Sequence, residues 1–293
     1  MSVHSKILES IPSSGEEALV DGKWRPISLC FDEIAREYLN VGVIFEHGGK
    51  VDVRMLDSFE RIKCLYDKTV DIDSLSYYLH DIEDSIVRFN GELPDTLSDT
   101  IRLGQPLYAS GRDADSVIDS FFYDVVTLGR INSKSRDASF RYRSTQKLRT
   151  LMFELIKDGM GLSASRIIQE KKFNLRIKDS GFIEIDIPLM SGKAAGSIVS
   201  AWYKSPMVVE NNLLQASSDL FLLKSNSDIG KVSLSILVPD IDSGLSSRDY
   251  KKLMDLTSRQ LDRMDRAGIE IIDAHTVDGL SKKTVSWWED VAA

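Results

Sequence analysis

The sequence has few of the residues that build metal centres and disulfide frameworks. Its 293 residues include two cysteines and four histidines, and neither type shows the spacing of a zinc site. Cys30 and Cys64 stand among apolar neighbours, so we expect two buried free thiols and no disulfide. Unpaired thiols indicate a reducing compartment. We therefore predict a cytoplasmic protein that has no resident cofactor.

Long apolar runs are also missing. No stretch approaches the roughly 18 apolar residues that a membrane-spanning helix needs, and the first 14 residues lack the basic-then-apolar pattern of a secretory signal. The composition, 42% hydrophobic and 28% charged, is that of a chain that can bury ordinary cores. The length favours two domains. We expect a soluble two-domain protein with no membrane contact.

Charge is distributed unevenly along the chain. Residues 1–133 carry 13 basic and 24 acidic side chains, residues 134–178 carry 12 and 4, and residues 179–293 carry 12 and 17. A basic segment therefore lies between two acidic ones. Such a segment can bind nucleic-acid phosphates, act as a solvated linker or dock on the acidic N-terminal part. All three interpretations stay open at the level of sequence.

The stretch 131–143 is polar, basic and aperiodic, which is typical of a linker. We predict an α+β domain over residues 1–133, a basic linker over 134–143 and an α/β domain over 144–293. The predicted nucleic-acid contacts are four cations of the linker and of the helix after it: Arg141, Arg143, Lys147 and Arg149.

The first domain is predicted to be a small antiparallel sheet covered by helices. Apolar alternation bounded by turn residues predicts strands over 24–31, 41–46, 51–56 and 101–109. Helical spacing of apolar residues predicts helices over 59–67, over 73–89 and from Asp113 or Asp115 to Leu128.

A nine-residue run leads from a turn into a strand, with the sequence Arg36-Glu37-Tyr38-Leu39-Asn40-Val41-Gly42-Val43-Ile44. It resembles the signature of an uncharacterised bacterial family, a domain of unknown function, and the resemblance extends over residues 25–130. That family has no established activity, and its members are often found beside kinase-like toxin homologues and in mobile or defence-associated regions. The resemblance implies an accessory protein with a protein partner, such as a kinase-like toxin homologue or another defence component.

The residues of this run allow a structural and a functional interpretation. Asn40 can hydrogen-bond nearby backbone at the entry to the strand. Gly42 inside a strand indicates a bulge or a close approach by another backbone. Alternatively, the exposed loop makes Arg36, Glu37 and Asn40 candidates for partner binding.

The second domain is predicted to alternate helices and strands. The order is a helix over 145–157, strands over 173–177, 182–187 and 195–204, a helix over 208–223, a strand over 231–238, a helix from 246 or 247 to 264, and a strand over 269–272.

This order, α-β-β-β-α-β, resembles the mixed-sheet core of the restriction-endonuclease-like fold. The resemblance implies an acidic residue on the second strand and an acidic residue two before a lysine on the third, which together hold and use Mg²⁺. Asp186 and Lys204 match two of these positions. Trp202 stands where the second acid belongs, so the signature is broken. Glu184 and Glu154 are the alternative ligands.

Two functions follow as hypotheses. The first is a non-enzymatic interaction or regulatory protein of a bacterial defence, toxin–antitoxin or mobile-element system, which binds a protein partner and in addition nucleic acid. The second is a Mg²⁺-dependent nuclease with a rearranged site, in which Asp186 and Lys204 are catalytic and Asp186, Glu184 and Glu154 bind the metal.

Overall fold

A computed structural model describes residues 20–66, 70–89, 92–129, 140–177 and 181–292. The chain divides into two compact units, residues 1–136 and 137–293. Each unit has β-sheet and helices of its own, and the fold is α+β. Most of the predicted linker, 134–143, lies outside the described residues.

The first unit contains a six-stranded antiparallel sheet and helices. Its elements are β1 (Val20–Asp32), β2 (Glu37–His47), β3 (Lys50–Met55), α1 (Glu60–Tyr66), α2 (Ile72–Val87), β4 (Thr96–Ser98), β5 (Ile101–Leu103), β6 (Leu107–Gly111) and α3 (Ala114–Val125). The strand order is β3-β2-β1-β5-β4, and β6 also pairs with β1. Helices α2 and α3 pack on β3 and β2.

The helices of this unit start where short acidic side chains can cap them. Asp113 precedes α3, and its carboxylate accepts hydrogen bonds from the backbone N–H of Ser116 at 2.7 Å and from the Ser116 hydroxyl at 2.8 Å. These two bonds lower the pKa of Asp113. Asp71 caps α2 in the same way. Capping by Asp is a sequence signal, and it fixes both helix starts.

Three predictions for the first unit are wrong in detail. The strand predicted over 101–109 is two short strands, because Gly104 donates its N–H to the Pro26 carbonyl at 2.9 Å but Pro26 has no N–H to return a bond, and the ladder with β1 ends there. Helix α2 ends at Val87, which leaves Phe89 44% exposed. Cys64 is exposed and Cys30 is half-buried, so the predicted pair of buried thiols is not formed.

Gly42 lies at a bulge in the β1–β2 ladder. Ile27 pairs with Gly42 and Ser28 pairs with Asn40, so Val41 is the extra residue. A Cβ on Gly42 would lie 2.5 Å from the Met55 sulfur and 2.9 Å from the Arg54 carbonyl oxygen. The glycine is therefore needed for close packing of β2 on β3, and the bulge predicted from the sequence is present.

The second unit alternates helices and strands. Its elements are α4 (Thr145–Met160), β7 (Phe173–Ile177), β8 (Gly181–Ile185), β9 (Leu189–Met190), β10 (Ala194–Ser200), α5 (Pro206–Asn226), β11 (Lys231–Leu237), α6 (Ser247–Arg266), β12 (Glu270–Ala274) and α7 (Val277–Ala292).

The main sheet of the second unit has the order β12-β11-β10-β9, in which β10, β11 and β12 are parallel and β9 is antiparallel to β10. Every residue of β10 is buried, as expected for a strand covered on both faces. Helix α4 packs on α7, α5 packs on α6, and both α4 and α5 contact β10. Strands β7 and β8 form a separate two-stranded hairpin.

The strand predicted over 195–204, which is β10 in the structure, is shorter than predicted. Strand β10 ends at Ser200, because the Ser200 hydroxyl accepts the N–H of Trp202 at 3.1 Å and turns the chain out of the ladder. Lys204 is therefore an exposed loop residue four positions beyond the strand. Across the described ranges, none of the helices has both the length and the apolar character that crossing a membrane requires.

Replacement of Gly42 by alanine tests the close contact in the first unit. We expect Gly42→Ala to lower the free energy of unfolding by about 1–3 kcal/mol, because the added methyl group overpacks a buried site. Gly192→Ala is the control, since a Cβ there meets nothing within 4 Å. Urea denaturation measures both, and an unchanged stability in Gly42→Ala would contradict the packing described.

Candidate functional site

Asp186 is the predicted catalytic acid, and it lies between β8 and β9. Its Oδ2 accepts a hydrogen bond from Arg149 Nη1 at 2.7 Å, and Arg149 Nε donates to the Ile198 carbonyl at 3.1 Å. The two side chains are only 12% and 14% exposed. A charge-assisted contact of this kind is among the stronger hydrogen bonds in proteins. The carboxylate of Asp186 is therefore neutralised within the fold.

A second carboxylate meets Asp186 from helix α5. Asp219 Oδ2 accepts the backbone N–H of Asp186 at 3.1 Å. Burial raises the pKa of Asp219, and the nearby charge of Asp186 raises it further, while Lys172 and Arg149 act in the opposite direction. Sequence reasoning missed Asp219, although a lone acid in the apolar segment Leu213–Leu223 is the signal that could have found it.

The other predicted metal ligands are not assembled with Asp186. Glu184 is exposed, and its Oε2 lies 3.7 Å from Lys172 Nζ. Glu154 is exposed on α4, and Lys204 lies beyond the end of β10. Where the structure describes the chain, no group of three or more histidine, cysteine, aspartate or glutamate side chains could hold a metal ion. The predicted Mg²⁺ site of Asp186, Glu184 and Glu154 is thus not formed by the described residues.

The structure corrects one of the predicted nucleic-acid contacts. Arg149 has the internal role described above, so its guanidinium is not presented to a ligand. Arg143 lies over the Trp202 ring at 4.2 Å, and its exposed side chain is held there by a cation–π contact. Arg141 and Lys147 are half-exposed. These three residues stay predicted contacts.

In the first unit, the turn that leads into the run from Arg36 to Gly42 carries an exposed apolar side chain. Asp32 Oδ1 accepts the N–H groups of Ile34 and Ala35, both at 2.8 Å. Arg36 has a φ of +52°, a conformation that non-glycine residues seldom adopt. Ile34 is 99% exposed. The turn between β1 and β2, residues 33–36, therefore holds an isoleucine in the solvent on a fixed backbone.

Two predicted partner-binding residues make hydrogen bonds within the unit next to this turn. Asn40 accepts the Ser28 hydroxyl at 2.8 Å and donates to the Val125 carbonyl at 3.2 Å, so its amide ties β1, β2 and the end of α3 together. Glu37 accepts the Tyr66 hydroxyl at 2.8 Å. Of the three predicted partner-binding residues, only Arg36 lies in the turn 33–36.

The end of helix α1 lies beside the turn. Tyr66 stacks on Phe31 with a ring-centre separation of 5.2 Å. Desolvation, and then the hydrogen bond and charge of Glu37, raise the pKa of Tyr66 to about 12. Leu65, next to Tyr66, is 63% exposed. Sequence reasoning singled out neither residue: Ile34 lies in a turn, which carries no periodic signal, and Leu65 lies in a helix of only seven residues.

Comparisons with protein-family models, with curated proteins and with solved structures found no match for this chain. The functional proposal therefore rests on the geometry of the described residues.

Removal of the Arg149 guanidinium tests the role of the ion pair. We expect Arg149→Ala to lower the free energy of unfolding by about 3 kcal/mol, because the Asp186 carboxylate would lose its charge-assisted bond to Arg149 in a largely buried site. Arg143→Ala is the matched control and should cost less than about 1 kcal/mol, since it removes one exposed cation–π contact. Equal effects of the two changes in urea denaturation would contradict an internal role for Arg149.

The raised pKa of Asp219 predicts a pH dependence of stability. Its folded pKa lies above the unfolded value, so the folded chain binds this proton more tightly, and stability falls as the pH rises from the usual aspartate pKa through the raised one. Asp219→Asn removes this titration and keeps an oxygen that can accept the Asp186 N–H. In thermal unfolding, the stability of Asp219→Asn relative to the parent chain should increase as the pH rises across that window. A stability difference between the two chains that does not change with pH would contradict the raised pKa of Asp219.

Proposed function

We propose that this chain is a non-enzymatic interaction protein, and that its first unit binds a protein partner through the β1–β2 turn. The observation that carries the proposal is the 99% exposure of Ile34 on a turn whose backbone is fixed by Asp32. An apolar anchor held on a rigid loop loses little conformational entropy on binding, so it contributes efficiently to affinity.

The surroundings of Ile34 support a surface larger than one side chain. Tyr66 contacts both Phe31 and Glu37, which places the exposed Leu65 at the same end of the unit as the turn. Two exposed aliphatic side chains beside stacked aromatic rings have the composition of an interface centre.

Charge points to the chemistry of the partner. Asp32, Glu33 and Glu37 are exposed around the turn, and residues 1–133 have a net charge of −11. A partner that complements this surface has an apolar pocket with lysine and arginine at its rim. The setting that we propose is the cytoplasm of a bacterium, with a defence, toxin–antitoxin or mobile-element component such as a kinase-like toxin homologue as the partner. It rests on the resemblance of the first unit.

The second unit supports an interaction role better than catalysis. Asp186 is neutralised by Arg149, and Lys204 lies outside the strand on which a nuclease-like site would need it. No specific observation favours the nuclease hypothesis over the interaction hypothesis.

Affinity capture from the native host tests the proposal. We expect the tagged full chain to retain a protein in near-equal amount, and Ile34→Asp to lose it, because a buried carboxylate in an apolar pocket is costly. Ile241→Asp is the matched control: Ile241 is an isoleucine of the second unit that is 77% exposed. It should retain the partner.

Retention by both variants would place the binding surface elsewhere and contradict the role of the turn. Loss in both variants would indicate a general effect of the added charge. Mg²⁺-dependent cleavage of DNA or RNA by the purified chain would contradict the non-enzymatic assignment.

A further inference from the structure

The β7–β8 hairpin of the second unit has one buried and one exposed face. On the inner face Leu175 pairs with Ile183, and Phe173 pairs with Ile185. Leu175 and Ile185 are 8% and 1% exposed, Ile183 nearer the turn is 40% exposed, and β7 packs on helix α5. An isolated two-stranded hairpin is only marginally stable in water. The inner face therefore accounts for the attachment of the hairpin to the unit.

The outer face carries an aromatic ring that the fold does not bury. Phe182 is 73% exposed, and it pairs in register with Arg176, so the two side chains stand next to each other on the same face. Asn174 pairs with Glu184 one step further along, and both are exposed. A phenylalanine contributes little to stability at this exposure, so packing does not explain its presence.

One cation lies beside this ring, and two more precede β7. Arg176 is exposed beside it, and Lys171 and Lys172 are exposed just before β7 begins. The acid of the outer face, Glu184, lies 3.7 Å from Lys172 and is offset by it. Strand β7 belongs to the basic part of the chain, residues 134–178, whose net charge is +8, whereas β8 follows it in the acidic part. The outer face therefore combines a planar apolar ring with cations.

We propose that the outer face of the β7–β8 hairpin binds single-stranded nucleic acid, with Phe182 stacking on an unpaired base and with Arg176 contacting the phosphate backbone. Every base has a flat face that an exposed aromatic ring can cover, and lysine and arginine neutralise phosphates. This site is independent of the β1–β2 turn and uses none of the four cations predicted from the sequence.

The aromatic ring favours a single strand over a duplex. In double-stranded nucleic acid the base faces are stacked on one another, so a phenylalanine ring has no base face to cover. A β-ribbon that reads a duplex enters the major groove with polar side chains directed at base edges. At the centre of this face stands Phe182, which offers no hydrogen bond. Unpaired bases fit this surface, and paired bases do not.

Fluorescence anisotropy with the full chain tests the site. The probe is a labelled thymidine oligonucleotide of about 15 nucleotides, which covers common single-strand site sizes, and the comparison is a duplex of equal length. We expect the single strand to bind more tightly than the duplex. Phe182→Ala should weaken single-strand binding by about 5- to 100-fold, the range set by base–aromatic stacking. Arg176→Ala should reduce the slope of log affinity against log salt by about 0.7.

Three control variants separate stacking from other effects. Phe89→Ala removes an aromatic ring of the first unit that is 44% exposed, and it should leave binding unchanged. Phe182→Trp should keep the affinity because it keeps a ring, whereas Phe182→Leu should lose it although it remains apolar. Circular dichroism confirms that each variant is folded.

Three results would overturn the proposal. The first is the absence of single-strand binding at low salt. The second is equal affinity for single strand and duplex together with no effect of Phe182→Ala, which would assign binding to cations elsewhere in the chain. The third is wild-type affinity in Phe182→Leu, which would show that an apolar contact suffices and that no ring stacks on a base.

Discussion

The contact between Arg149 and Asp186 links several elements of the second unit. One guanidinium, from α4, bridges the Asp186 carboxylate at the β8–β9 junction and the Ile198 carbonyl of β10. Asp219 adds α5 by accepting the Asp186 N–H. The Arg149–Asp186 pair thus connects helices α4 and α5, strand β10 and the junction between β8 and β9. Because partly buried charges need partners, this arrangement gives the Asp186 carboxylate a role in holding the fold.

The exposed surfaces of the two units are the functional candidates that we propose, and they differ in charge. The β1–β2 turn presents Ile34 among Asp32, Glu33 and Glu37, which suits a basic protein surface. The β7–β8 hairpin presents Phe182 beside Arg176, which suits a nucleic-acid strand. Each surface has an exposed apolar side chain: Ile34 lies on a turn between two strands, and Phe182 lies on a two-stranded hairpin. A chain with both would join a protein and a nucleic acid, a role that requires binding and no catalysis.

The sequence predicted the order of most elements, since periodicity and capping are local signals. It predicted the bulge near Gly42, because a glycine within a strand is itself informative. It did not predict where β10 ends, since the Ser200 hydroxyl that turns the chain acts through a contact that periodicity does not report. Nor did it predict Asp219 or the role of Arg149, because both depend on partners 33 and 37 residues away in the chain. Ile34 was missed for a related reason: exposure is a property of the fold, and composition does not encode it.

Calorimetric titration of the full chain with Mg²⁺ tests most directly the claim that the Asp186 cluster is structural. With the carboxylate of Asp186 paired to Arg149, the account predicts no saturable heat of binding in the millimolar range, in the parent chain and in Asp186→Asn alike. A saturable Mg²⁺ site in the parent chain that disappears in Asp186→Asn would contradict it, and would favour the nuclease hypothesis.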